Sequence, residues 1–84
     1  MSPGQADKTV FVVGDGSWGT ALAVVLGAAG HRVHLWSHFP EQARAMVEHH
    51  ENRAFLPGIE LPEAVEPTSS LDHLNSADYI LVVY

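Results

Sequence analysis

The chain has 84 residues, 46% apolar and 17% charged, with a formal net charge of −6 and no cysteine. Those proportions suit a globular core and exclude wholesale disorder, and the lack of cysteine excludes disulfides, thiolate zinc centres and a cysteine nucleophile. With only Lys8, Arg32, Arg44 and Arg53 as permanent cations, the chain has no electrostatic footprint for nucleic acid or for an anionic membrane surface.

Residues 1–8 lack the apolar segment of a signal peptide and read as a flexible tail. Thr9 to Val13 is an almost unbroken apolar run, which predicts a strand covered on both faces. After Gly14-Asp15-Gly16-Ser17-Trp18-Gly19 a small-residue helix is expected from Thr20 to Ala29. In it Ala21, Leu22, Val25, Leu26 and Ala29 recur at helical spacing as the buried stripe, Gly19, Ala23 and Gly27 allow close approach, and Gly30 supplies a left-handed cap. The longest apolar stretch, Ala21 to Ala29, is too short to span a bilayer. Arg32 to Trp36 is a second strand, and Pro40 opens a second helix to about His50, with Ala43, Met46 and Val47 buried. Asn52 to Pro62, with two prolines and Gly58, reads as a loop long enough for a contact role. A third strand is predicted from Ala64 to Thr68, held to an edge by Pro67. Ser69-Ser70-Leu71-Asp72 has the form of a helix start, giving a short helix to about Ser76, and Asp78 to Tyr84 is a final strand.

This alternation predicts an α/β fold, a partial Rossmann-like open parallel sheet of about four strands in the order 3-2-1-4, with the ligand crevice between strands one and four. Residues 9–84 would then be the N-terminal part of a dinucleotide-binding domain. Strand four would leave an apolar edge uncovered, so more chain or a partner is expected there.

The six residues after the first strand form G-x-G-x-x-G between a strand and a helix, the context a dinucleotide site requires. Gly14 permits the tight turn, Gly16 lets backbone approach a diphosphate, and Gly19 brings the helix close to the sheet. The diphosphate would rest on the helix N-terminus. Ser17 lacks the G-x-S-x-G elbow of a nucleophile, so a phosphate contact is the better reading. Trp18 suits either a place beside the cofactor or packing, and Trp36 suits packing. NAD sites usually carry an acid about 20 residues beyond the glycines. Here Ser37-His38 stand there, so the reading is NADP or dual use, with Glu41 the nearest carboxylate and His38 placed to read the adenosine end. His49-His50 beside Glu48 and Glu51 lacks the i, i+4 pair of a helical zinc site, so no metal is assigned. His34 reads as a hydrogen-bonded structural histidine, His31 as a loop residue and His73 as a residue on an exposed helical face. No residue here is assigned a catalytic role, and no carboxylate pair suggests hydrolysis.

Three separated segments, Gly14 to Ala23, Gly30 to His38, and Ala54-Phe55-Leu56-Pro57-Gly58 followed by Leu61-Pro62, resemble the N-terminal part of NAD(P)-dependent glycerol-3-phosphate dehydrogenase. The resemblance runs from Val10 onward. It implies interconversion of dihydroxyacetone phosphate and sn-glycerol 3-phosphate by hydride transfer, for glycerophospholipid synthesis in the cytoplasm. It implies a nicotinamide dinucleotide, NADP or NAD, held by Gly14, Gly16, Ser17, Trp18, Gly19 and His38, with Phe55 near it. It further implies a catalytic lysine and a site for a small phosphorylated substrate in a later helical domain that these residues do not include, and a homodimer of the full-length enzyme. Two positions depart from the family pattern. Asp15 replaces the usual Ala and brings a carboxylate near the expected diphosphate, and Tyr84 stands where a Pro is usual. A non-catalytic dinucleotide-binding or interaction module, and another two-domain NAD(P) dehydrogenase, remain as alternatives.

Overall fold

The computed structural model describes residues 8–83, so the expectation of a flexible tail falls, for residues 1–7, outside the described residues, as does Tyr84. Lys8 is not part of a free tail: its carbonyl accepts the Arg32 N–H at 2.9 Å, extending the ladder that follows. Strands β1 (Thr9–Val13), β2 (Arg32–Trp36), β5 (Val65–Thr68) and β6 (Tyr79–Val82) form a parallel sheet ordered β5-β2-β1-β6. Counting only these strands, this is the expected 3-2-1-4 order. Val10, Val12, Val33, Leu35 and Val65 share the face that meets the helices, and their side chains join Ala23, Met46 and Leu61 in one core. Each such large apolar side chain contributes on the order of 1.5–3 kcal/mol when fully buried.

Helix α1 (Ser17–Ala28) begins three residues earlier than expected and buries a different stripe. Gly19, Thr20, Ala23 and Gly27 face the sheet, while Val25 is 65% exposed and Leu22 is also exposed. The small residues decide the orientation because they let the helix axis come close. A Cβ on Gly27 would lie 2.7 Å from Val65 Cγ2 and 3.3 Å from Pro62 Cβ. Gly30, with φ 99°, takes the left-handed cap: its N–H donates to Gly27 O, and the His31 N–H reaches back to Leu26 O at 3.1 Å. Helix α2 (Pro40–His49) starts at Pro40 and buries Ala43 and Met46, with Val47 half exposed.

Two segments differ from the sequence expectation. The expected loop contains an antiparallel pair, β3 (Glu51–Asn52) and β4 (Leu56–Glu60), with an irregular register between Glu51 and Asn52. Pro57 is tolerated because this is a two-stranded ribbon with open edges. The expected helix from Ser69 is instead a chain of hydroxyl turns followed by one 3₁₀ turn, Leu74–Ser76. Ser70 N–H donates to Thr68 Oγ1 and Asp72 N–H to Ser70 Oγ, so the side chains satisfy the backbone locally and the capping box does not form. On the sheet face opposite the helices, His34 is buried and hydrogen-bonded to Glu66 through Nδ1 at 3.0 Å. His73 is exposed as expected, but its ring stacks on His34 at 4.8 Å and it lies outside any α-helix. Among the described residues, no helix is long and apolar enough to cross a membrane.

Candidate dinucleotide-binding site

The glycine turn lies at the carboxyl end of β1, between the ends of β2 and β6, where open α/β sheets bind ligands. Gly14 N–H donates to Trp36 O at 3.1 Å, and Val83 N–H donates to Val13 O at 2.9 Å, so the turn is fastened to both neighbouring strands. Gly14 has φ 126°, and a Cβ there would collide with the Val83 carbonyl. A Cβ on Gly19 would collide with the Gly14 carbonyl. At Gly16, by contrast, a Cβ would meet nothing within 4 Å. Gly14 and Gly19 are therefore demanded by packing, and Gly16 leaves open space in front of the helix.

Gly16 caps α1 without a side-chain hydrogen bond, and no acidic residue stands in the first turn. The first main-chain bond of the helix runs from Thr20 N–H to Gly16 O, at 2.9 Å. The N–H groups of Ser17, Trp18 and Gly19 precede it and carry the positive end of the macrodipole, equivalent to roughly half a charge. An anion fits this end, as the open space over Gly16 allows. Trp18, in the first turn of α1, is 73% exposed, so it is not part of the core. The Ser17 hydroxyl donates to Phe55 O at 2.6 Å. That contact brings the β3–β4 ribbon against the helix start, a neighbour the sequence motif alone did not reveal.

The residue holding this arrangement together is Asn52, at the start of the segment whose sequence predicts a loop. It is fully buried. Its amide donates to Asp15 O at 2.6 Å and to Thr20 Oγ1 at 2.8 Å, and its Oδ1 accepts from Gln42 Nε2 and the Phe55 N–H. Thr20 Oγ1 also donates to Asp15 O. One side chain thus ties the glycine turn, α1, α2 and the ribbon into a network in which all four of its own hydrogen-bonding positions are used.

At the end of β2 the two expected residues separate. Ser37 is fully buried and its hydroxyl accepts the Phe39 N–H at 3.2 Å, so it closes a local hydroxyl turn and faces no ligand space. His38 is exposed, with its ring 5.0 Å from Phe39 and 5.9 Å from Trp36. Beside it a cavity of about 430 Å³ is lined by Asp15, Phe39, Glu41, Gln42 and Phe55. A larger cavity, about 790 Å³, is lined by Thr9, Arg32, His34, Glu66 and His73 among others. It opens near the amino ends of β1 and β2, away from the glycine turn, so the smaller cavity is the one that matters for a ligand held there.

Residues 9–84 match the family model described as NAD-dependent glycerol-3-phosphate dehydrogenase N-terminus. A glycerol-3-phosphate dehydrogenase [NAD(P)+] of Legionella pneumophila is 46% identical over 76 residues, 89% of this chain and 23% of that protein. One from Geobacillus thermodenitrificans is 53% identical over 58 residues, 69% of this chain and 17% of that protein. The crystal structure of glycerol-3-phosphate dehydrogenase from Coxiella burnetii superposes with a TM-score of 0.86 at 33% identity, covering 92% of this chain and 24% of that one. The chain thus spans about a quarter of the length of the relatives it matches. By sequence and by fold, it belongs to the family of NAD-dependent glycerol-3-phosphate dehydrogenase N-terminal domains.

Proposed function

We propose that this chain is the cofactor-binding segment of a glycerol-3-phosphate dehydrogenase that interconverts dihydroxyacetone phosphate and sn-glycerol 3-phosphate, supplying glycerophospholipid synthesis in the cytoplasm. The observation that carries the proposal is the uncapped, acid-free N-terminus of α1 behind the open space at Gly16, in a chain of this family. Gly14 and Gly19 shape the turn, Gly16 admits the diphosphate, and the Ser17 and Trp18 N–H groups receive it. The Ser17 hydroxyl, now donating to Phe55 O, can turn to a phosphate oxygen. Trp18 flanks the dinucleotide and His38 meets its adenosine end. When bound, the nicotinamide supplies the hydride. Residues of a helical substrate domain beyond this segment would position the phosphorylated substrate, and the full-length enzyme would be a homodimer.

Calorimetric titration of the 84-residue chain with NADH and with NADPH tests the proposal. Saturable one-to-one binding of at least one of them is expected, without turnover when dihydroxyacetone phosphate is added. Binding of neither overturns the cofactor assignment, and turnover by this chain alone overturns the division of labour.

A further inference from the structure

We infer that Asp15 and Glu41 make this site select NADH over NADPH, by excluding a phosphate from the adenosine ribose. The inference rests on the dinucleotide reading above and runs against the expectation drawn from Ser37-His38. Three observations carry it. Asp15 and Glu41 line the same cavity beside the glycine turn, and no Lys or Arg lines it with them. Neither acid is in an ion pair: those among the described residues are His34 with Glu66 and Arg53 with Glu51. Asp15 Oδ2 is shielded from solvent and meets no hydrogen-bond donor among the described residues, while the Asp15 carbonyl is fixed by Thr20 and Asn52.

Charge and hydrogen bonding then favour the same ligand. A 2′-phosphate brings further negative charge beside two carboxylates without a cationic neighbour, whereas a ribose diol adds none and brings hydroxyl donors that the exposed Glu41 can accept. The N-terminus of α2 would ordinarily attract that phosphate, but Glu41 occupies its first turn. Ser37 offers no help, since its hydroxyl is buried and engaged with Phe39. His38 is left as the one residue of the expected pair able to meet a phosphate. Phe39 and Phe55, 60% and 49% exposed on the cavity rim, present apolar surface suited to an adenine whichever ribose it carries.

The test is competitive titration of the whole chain with NADH, NADPH, ADP-ribose and 2′-phospho-ADP-ribose, repeated for Asp15→Asn and Glu41→Gln. The unsubstituted chain should bind each unphosphorylated ligand about tenfold or more tightly than its 2′-phosphorylated counterpart. Asp15→Asn preserves the shape of the side chain and should shrink that ratio by tightening the phosphorylated ligands. Glu41 is exposed, so Glu41→Gln gives a second reading that does not depend on the buried network. Equal affinities, a preference for NADPH, or a ratio unmoved in both variants overturns the inference while leaving the dinucleotide reading standing. Binding of none of the four ligands overturns both.

Discussion

A methyl group on Gly16 meets no protein atom within 4 Å, and the residue has ordinary extended backbone angles, φ −66° and ψ −174°. Gly16→Ala is therefore expected to leave folding stability within about 0.5 kcal/mol of the unsubstituted chain. The same methyl occupies the space proposed for the diphosphate, so the Kd for NADH should rise about tenfold or more, a loss of roughly 1.4 kcal/mol. Paired thermal unfolding and calorimetry separate the two effects. Asn52 behaves in the opposite sense. Asn52→Leu removes the donor to Asp15 O and Thr20 Oγ1 and the acceptor of Gln42 Nε2 and the Phe55 N–H, leaving only the Thr20 to Asp15 bond of the network, and should cost about 2–4 kcal/mol in urea unfolding. The glycines could be recognised in the sequence because their spacing follows a strand and opens a helix. Asn52 could not, because a single Asn among polar and proline residues reads as loop chemistry until its four partners are known. Ser37 failed for a related reason: its place in the chain suggested a ligand contact, and only burial shows that its hydroxyl serves Phe39.

Among the elements, β1 is legible because an apolar run covered by other structure leaves little choice of conformation, and β6 because Tyr79 to Val82 is an unbroken apolar run although three of its side chains stay exposed. The buried face of α1 was not legible from the large side chains. In a helix apolar nearly all round, the face that packs is the one whose Gly19, Ala23 and Gly27 permit close approach, and Val25 is left outside. The β3–β4 ribbon was hidden by Pro57 and Gly58, which argue for a loop but are tolerated in a short ribbon whose attachment comes from Asn52 and from Ser17 to Phe55 O. The end of α2 adds a test of backbone energetics. His50 holds the left-handed conformation, φ 54°, which L-residues adopt at a cost and glycine adopts freely. His50→Gly should stabilise the chain by about 1 kcal/mol, read as a higher urea midpoint with an unchanged slope.

For the molecule as a whole, the two edges of the sheet are unequal. Edge strand β5 carries Pro67, which removes a donor and discourages further pairing. Edge strand β6 has no such guard, and Tyr79, Ile80 and Val82 are 58%, 49% and 56% exposed. At high concentration the 84-residue chain should therefore self-associate, and Ile80→Lys should shift it toward monomer in sedimentation velocity. The strand order was legible because right-handed crossovers leave few arrangements of four parallel strands, and with it came the place of the candidate site, at the carboxyl ends beside the glycine turn. The shape and charge of the cavity beside the glycine turn were not, since Asp15, Glu41 and Phe55 come from three distant parts of the chain and meet only after folding. A crystal structure of the chain with bound NADH tests the central claim most directly. The account requires diphosphate oxygens about 3 Å from the Ser17 and Trp18 main-chain nitrogens, over Gly16. A dinucleotide seated elsewhere, with those N–H groups facing only solvent, would contradict it.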